Sequence, residues 1–204
     1  MQRRAFLIGL PMVGLAACAA EPVWAPDDQV TRAFTPQIGP ASLTLYTMRN
    51  NGSGNGAHTG LMINASQRVL WDPAGTFKAD SLPERNDVIY GITPYVEELY
   101  ASFHARETYF VVGQRLEVPQ ATAEQILRAV QSYGAVRKAH CTRSTTTILQ
   151  DIPGFEGIRR TYSPTRLMED FAKLPGVETW EIREDDADDK RGAGAEINAI
   201  LNAR

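Results

Sequence analysis

A chain of 204 residues, 43% hydrophobic and 22% charged, has the composition of a folded domain with a real core, not of a disordered or fibrous protein. Its formal charge is −3, and no basic patch is interleaved with aromatics, which argues against nucleic acid as a partner. Two cysteines and three histidines are too few and too badly spaced for a metal cluster, and no cofactor-binding glycine loop precedes a helix, so no cofactor is expected.

Residues 1–18 have the form of an export signal. Arg3-Arg4 give the charged start, and Ala5 to Ala17 form an apolar run too short to span a bilayer. Leu15-Ala16-Ala17-Cys18 resembles a bacterial lipobox, which implies cleavage before Cys18 and diacylation of its thiol. Arg3-Arg4-Ala5-Phe6-Leu7 resembles a twin-arginine signal as well. An ordinary signal peptide, cut and discarded, is the plainer alternative. The lipobox reading places the protein in the periplasm, held on a membrane by its N-terminal lipid. Ala19, where an aspartate would retain the protein, points to the outer membrane.

Residues 19–41 carry Pro22, Pro26, Pro36 and Pro40 with few periodic apolar positions, and read as a stiffened tether. Ser42 to Met48 alternates as a first strand, and the Asn/Gly loop 50–56 is flexible by composition. His58 to Asn64 and Val69 to Asp72 read as a hairpin. A three-residue loop at Asn64–Ser66 would set His58 opposite Asp72, with Gly60 on the same face leaving room for another element. Asp72-Pro73-Ala74-Gly75 also has the residues of a type I turn, so Asp72 serves either the histidine or only the turn.

Thr93-Pro94 open a helix to about Phe103, and Thr108 to Val118 is a strand. Thr122 with Gln125 makes a capping box for a helix closed by Gly134. Cys141, Thr145, Ile148, Leu149 and Ile152 lie on one helical face, and Pro153-Gly154 stop that helix. Ser163-Pro164 open another, ended by Pro175-Gly176, and Val177 to Ile182 is the last strand. The acidic run 184–189 reads as solvated, because it lacks the glycine and terminal glutamate of a calcium loop. Ala193 to Ala203 is a short helix within an acidic C-terminal tail, 184–204.

Cys141 falls in the first turn of its helix, where free N–H groups and the helix dipole favour thiolate. It is either a nucleophile or a small buried hydrophobe. A nucleophilic cysteine needs an imidazole beside it. His140 is adjacent in sequence, so its side chain diverges on a helix and suits capping. His104 ends a helix and suits the same role. His58 is the best base, with Asp72 able to fix its tautomer.

A histidine opening a strand, followed much later by Cys141-Thr142-Arg143-Ser144-Thr145, resembles the circularly permuted papain-like superfamily of NlpC-type peptidases and lecithin:retinol acyltransferase-like proteins. Residues 42–75 and 139–155 also resemble a family of uncharacterised proteobacterial lipoproteins. The resemblance implies Cys141 as nucleophile, His58 as general base and Asp72 as orienting acid. It implies an α+β fold, a small antiparallel sheet packed on helices, over residues 42–183. It implies a thiol hydrolase or acyltransferase working through a thioester on an amide or ester, with envelope peptide or lipid as substrate. A non-catalytic envelope lipoprotein, keeping the scaffold as a binding module, is the alternative.

Overall fold

The computed structural model describes residue 20 and residues 22–203; the lipobox and Cys18 lie outside the described residues. The elements in order are α1 (Asp27–Arg32), β1 (Ser42–Asn50), β2 (Gly56–Asn64), β3 (Arg68–Trp71), β4 (Glu84–Arg85), β5 (Val88–Ile89), α2 (Pro94–His104), β6 (Tyr109–Glu117), α3 (Gln120–Tyr133), α4 (Cys141–Gln150), α5 (Pro164–Phe171), β7 (Glu178–Ile182) and α6 (Lys190–Asn202). The strands make one antiparallel sheet in the order β4-β5-β3-β2-β1-β6-β7. The molecule is therefore mixed α and β, and its sheet is seven strands wide, larger than the small sheet expected.

Each face of the sheet carries its own core. Leu43, Leu45, Leu61, Ile63 and Trp71 pack with α3, α4 and α5. Tyr46, Met48, Met62, Leu70 and Val111 pack with α2 and α6. Alternate residues of β1 and β2 thus bury on opposite sides, because successive strand side chains point to opposite faces. Thr93 caps α2 by accepting from Val96 N–H, and Ser163 caps α5 by accepting from Arg166 N–H. α3 departs from expectation. It starts at Gln120 behind Pro119 with no side-chain cap, so Thr122 and Gln125 form no capping box. Proline's fixed φ already starts the helix there.

Residues 22–40 do not run as a tether. Ala25 N–H bonds Glu84 C=O, Arg68 N–H bonds Thr35 C=O, and Ile38 N–H bonds the Asn64 side chain. Prolines stiffen a free linker and a packed extended strap alike, so composition does not separate the two. The acidic tail is also part of the body. Glu184 accepts from Ser102, Asp186 pairs with Arg106, and Asp188 accepts from Thr108. Ala193 and Ile197 of α6 are buried in the α2 core. The packed unit thus reaches beyond residues 42–183 at both ends. Loop 50–56 is closed on itself, since the Asn50 side chain accepts from Gly52 and Ser53 N–H and Arg49 donates to Gly54 C=O. No helix among the described residues is long and apolar enough to cross a membrane.

Candidate active site

β2 enters the sheet beside α5. Gly56 N–H donates to Thr165 Oγ1, and a Cβ at residue 56 would press on Pro164 and Thr165. A bulge follows, since Met48 pairs with His58 but Arg49 pairs with Gly56. Bulges kink a strand and re-aim the side chain beside them. The hairpin loop lies one residue further along than expected, which moves each cross-strand partner by two. Leu61 pairs with Trp71 and Asn64 with Arg68, so the loop is Ala65–Gln67. Asn64 belongs to the ladder because its amide is engaged, donating to the carbonyls of Ile38 and Pro40. Carried one pair further, the register sets Gly60 opposite Asp72 and His58 on the diagonal. The contact is still made, with His58 Nε2 and Asp72 Oδ1 2.7 Å apart.

Asp72 is almost sealed from solvent. Its Oδ1 also accepts from the Tyr100 hydroxyl at 2.9 Å. That hydroxyl occupies the space Gly60 leaves, where a Cβ would overlap it. Gly75 is held in the same way, since a Cβ there would overlap Asp72 Oδ2. The turn itself forms, with Gly75 N–H bonded to Asp72 C=O, but Ala74 has φ 54°. A positive φ at the third position makes it a type II turn, not type I. Asp87 holds it: its C=O takes Asp72 N–H, Oδ1 takes Ala74 N–H at 2.8 Å, and Oδ2 takes Val136 N–H at 2.7 Å. One residue thereby ties the acid-bearing turn to the segment leading into α4.

Cys141 is the first residue of α4, behind the N-cap position His140. The depth of α4 is set by hydroxyls. Thr142 bonds Thr59 of β2 at 3.1 Å, and the buried Trp71 indole N–H donates to Thr145 at 3.1 Å. The Ser144 and Thr145 hydroxyls turn back to Cys141 C=O. Such local bonds let a threonine-rich helix exist in a buried place. His140 makes no side-chain cap. Its Nδ1 bonds Lys138 C=O and its ring abuts Tyr162.

The Cys141 sulfur lies 3.8 Å from the Thr142 hydroxyl, and His58 and Thr59 N–H are near enough to favour its thiolate. Asp72 holds Nε2, so Nδ1 is the nitrogen left for the sulfur. Burial pushes the Cys141 thiol up, but the His58 hydrogen bond and charge outweigh it and hold the thiol below its ordinary value. Burial likewise pulls His58 down, and the Asp72 charge and hydrogen bond reverse this, raising the imidazole to about 10. For Asp72, desolvation is outweighed by the His58 charge, so its carboxyl stays below the usual range. These directions agree on one state: thiolate, imidazolium and carboxylate in a row. Such a row supplies a nucleophile and an acid for a leaving group. The thiol stands at the start of α4, whose first N–H groups can meet an oxyanion.

A cleft of about 240 Å³ adjoins His58, lined by Met48, Ala57, Ala74, Gly75, Thr76, His104, Tyr109 and Lys190 as well. Cys141 is not in its wall. The structure thus brings Cys141, His58 and Asp72 together and leaves His140 on the rim. Tyr100 and Asp87 are site residues that sequence reasoning missed. His104 does make the expected bond to a helix carbonyl, that of Tyr100, and also stacks on His58 with ring centroids 5.9 Å apart. The spacing of Tyr100 and His104, one helical turn apart on α2, was the one available signal for that pair. Among the described residues no group of three or more His, Cys, Asp or Glu side chains could hold a metal. No family model, curated protein or solved structure matches the chain.

Proposed function

We propose that the protein is a cysteine hydrolase or acyltransferase acting on an amide or ester through a thioester. The observation that carries this reading is His58, held at 2.7 Å by the buried Asp72 and set beside Cys141 at the start of α4, where burial is overcome in favour of the ion pair. The thiolate attacks the carbonyl carbon, and the bond to the leaving nitrogen or oxygen breaks as His58 Nδ1 protonates it. An acceptor, water or another hydroxyl or amine, then gives its proton to the neutral His58 and displaces the sulfur. Asp72 keeps the ring oriented and stabilises its charged form. The histidine strand preceding the cysteine helix has the order of the permuted papain-like superfamily, and we read the fold as a member of it.

Incubation of the folded protein with p-nitrophenyl acetate should give one acetyl adduct, mapped to Cys141 by mass spectrometry. His58→Ala should remove nearly all of it. An adduct that is absent, or that persists undiminished without His58, would sink the catalytic reading. The burial of Cys141, 8% exposed and outside the cleft wall, favours the second reading, a binding module built on the same scaffold.

We also infer that the chain is a periplasmic lipoprotein, its lipid on Cys18, with envelope peptide or lipid as the substrate within reach. Labelled palmitate should enter the wild-type protein in cells and be absent from Cys18→Ser. Label retained by that variant would contradict the anchor.

A further inference from the structure

We propose that His104 is a substrate-reading residue, whose Nε2 accepts a hydrogen bond from a neutral N–H or O–H donor lying in the cleft beside His58. The inference rests on the proposed role of His58, takes the cleft adjoining it as the substrate's place, and names what one wall of it selects.

The tautomer follows from geometry. Nδ1 lies 2.9 Å from the Tyr100 carbonyl oxygen, which can only accept, so Nδ1 carries the hydrogen. A neutral ring then has its lone pair on Nε2. Burial, aided by the charges of His58 and Lys190 and opposed by that of Asp72, keeps the ring neutral, with its pKa lowered to about 3. Nε2 has no protein partner among the described residues; the ring is 4% exposed and lines the cleft, and Nε2 is not among the fully buried atoms left without a partner, so it is open to water there. The ring cannot turn to find a partner. Tyr100 stands against it at 4.6 Å, Phe103 at 5.0 Å and His58 on its face.

An acceptor fixed in place on a buried ring, bonded to no protein group, discriminates by what is left unpaired when a ligand displaces its water. A ligand that donates to it satisfies it, while an isostere without the hydrogen strands it out of water. The rest of the wall also disfavours a cationic donor, since Met48, Ala57 and Ala74 offer no polar side chain, no carboxylate lines the cleft, and His58 and Lys190 carry positive charge. Lys190, at the cleft mouth, is the complementary donor for a carbonyl. The volume is below the ~300–1,000 Å³ of pockets that enclose drug-sized ligands, so the cleft takes one small polar unit and no long acyl chain.

The test uses full-length Cys141→Ala protein, so that nothing is turned over, with ¹⁵N-labelled histidine. N-acetyl-alanine methylamide is compared with methyl 2-acetoxypropanoate, in which oxygen replaces both N–H groups. The amide should shift the His104 Nε2 resonance and bind about tenfold more tightly than the ester, the difference one hydrogen bond makes. His104→Phe keeps a stacking ring without the lone pair and should bind the two alike. Equal affinities in the parent protein, or a preference that survives His104→Phe, would overturn the proposal. The two readings fail separately. Loss of the Cys141 acetyl adduct with the amide preference intact removes catalysis and leaves this site. An intact adduct with no preference removes this site alone.

Discussion

Iodoacetamide should alkylate Cys141 in the folded protein at pH 6, and His58→Ala should slow that reaction by up to about 300-fold. The factor comes from thiolate content. A thiol at its ordinary pKa of about 8.5 is only ~0.3% ionised at pH 6. Without the imidazolium, burial pushes Cys141 in that direction, opposed only by the weaker influence of Thr142 and Thr59. With it, the thiolate–imidazolium pair persists from the lowered pKa of Cys141 up to about pH 10, where His58 loses its proton and leaves a thiolate beside a neutral ring. The rate should therefore rise early, stay level, and change again near pH 10. His140→Ala should leave the profile nearly unmoved, because its ring faces Tyr162 and Lys138 C=O. A thiol that reacts only after denaturation would identify Cys141 as a structural residue.

The same groups couple to stability with a definite sign. The folded pKa of His58 is raised, so its contribution is complete below about 6.5 and is lost as pH climbs through about 10. That of Asp72 is lowered, so its contribution is present above 3.8 and is lost on acidification below it. Between those limits both act together.

Much of this site could be read from local pattern. The α4 face, its start at Cys141 and its stop after Gln150 follow from apolar spacing and Pro153-Gly154. The pairing of His58 with Asp72 needed only a hairpin and a period of two. What pattern could not reach was set by partners distant in sequence. The hairpin loop moved by one residue because Asn64 bonds Ile38 and Pro40, and no periodicity in β2 records that. Residues 22–40 look like a linker because the groups they bond, the backbone of β4 and β3 and the side chains of Asn64 and Arg85, are distant in sequence. Asp87 reads as an ordinary turn acid, and its role lies in three N–H groups from two other segments. Tyr100 shows least of all. Its partner is an acid on another element, reached through a vacancy at Gly60 that sequence marks only as a glycine within a strand.

That vacancy gives the second large effect. Gly60→Ala should destabilise the fold by roughly 3–5 kcal/mol and slow Cys141 alkylation at pH 6. The new methyl would overlap the Tyr100 hydroxyl, with Tyr100 Cζ at 3.0 Å and Asp72 Oδ1 at 3.5 Å behind it. The ring has nowhere to retreat, since Tyr46, Phe77 and His104 stand against it at 5.6, 5.3 and 4.6 Å. Overpacking of this kind costs about 1–3 kcal/mol. Breaking the hydroxyl's bond to a buried carboxylate adds about 1.5–3 kcal/mol. Asp72 has no spare donor to turn to, because its Oδ2 is already buried without a partner. Tyr100→Phe removes the overlapping atom, so Gly60→Ala/Tyr100→Phe should be more stable than Gly60→Ala alone. Recovery should be partial, because the ring carbon still sits at 3.0 Å and Asp72 still lacks its second donor. Urea unfolding at constant m measures the first effect, and the alkylation rate at pH 6 reports whether His58 and Asp72 remain aligned. A double variant no better than Gly60→Ala in either measurement would mean that the Tyr100 hydroxyl is not what fills this space.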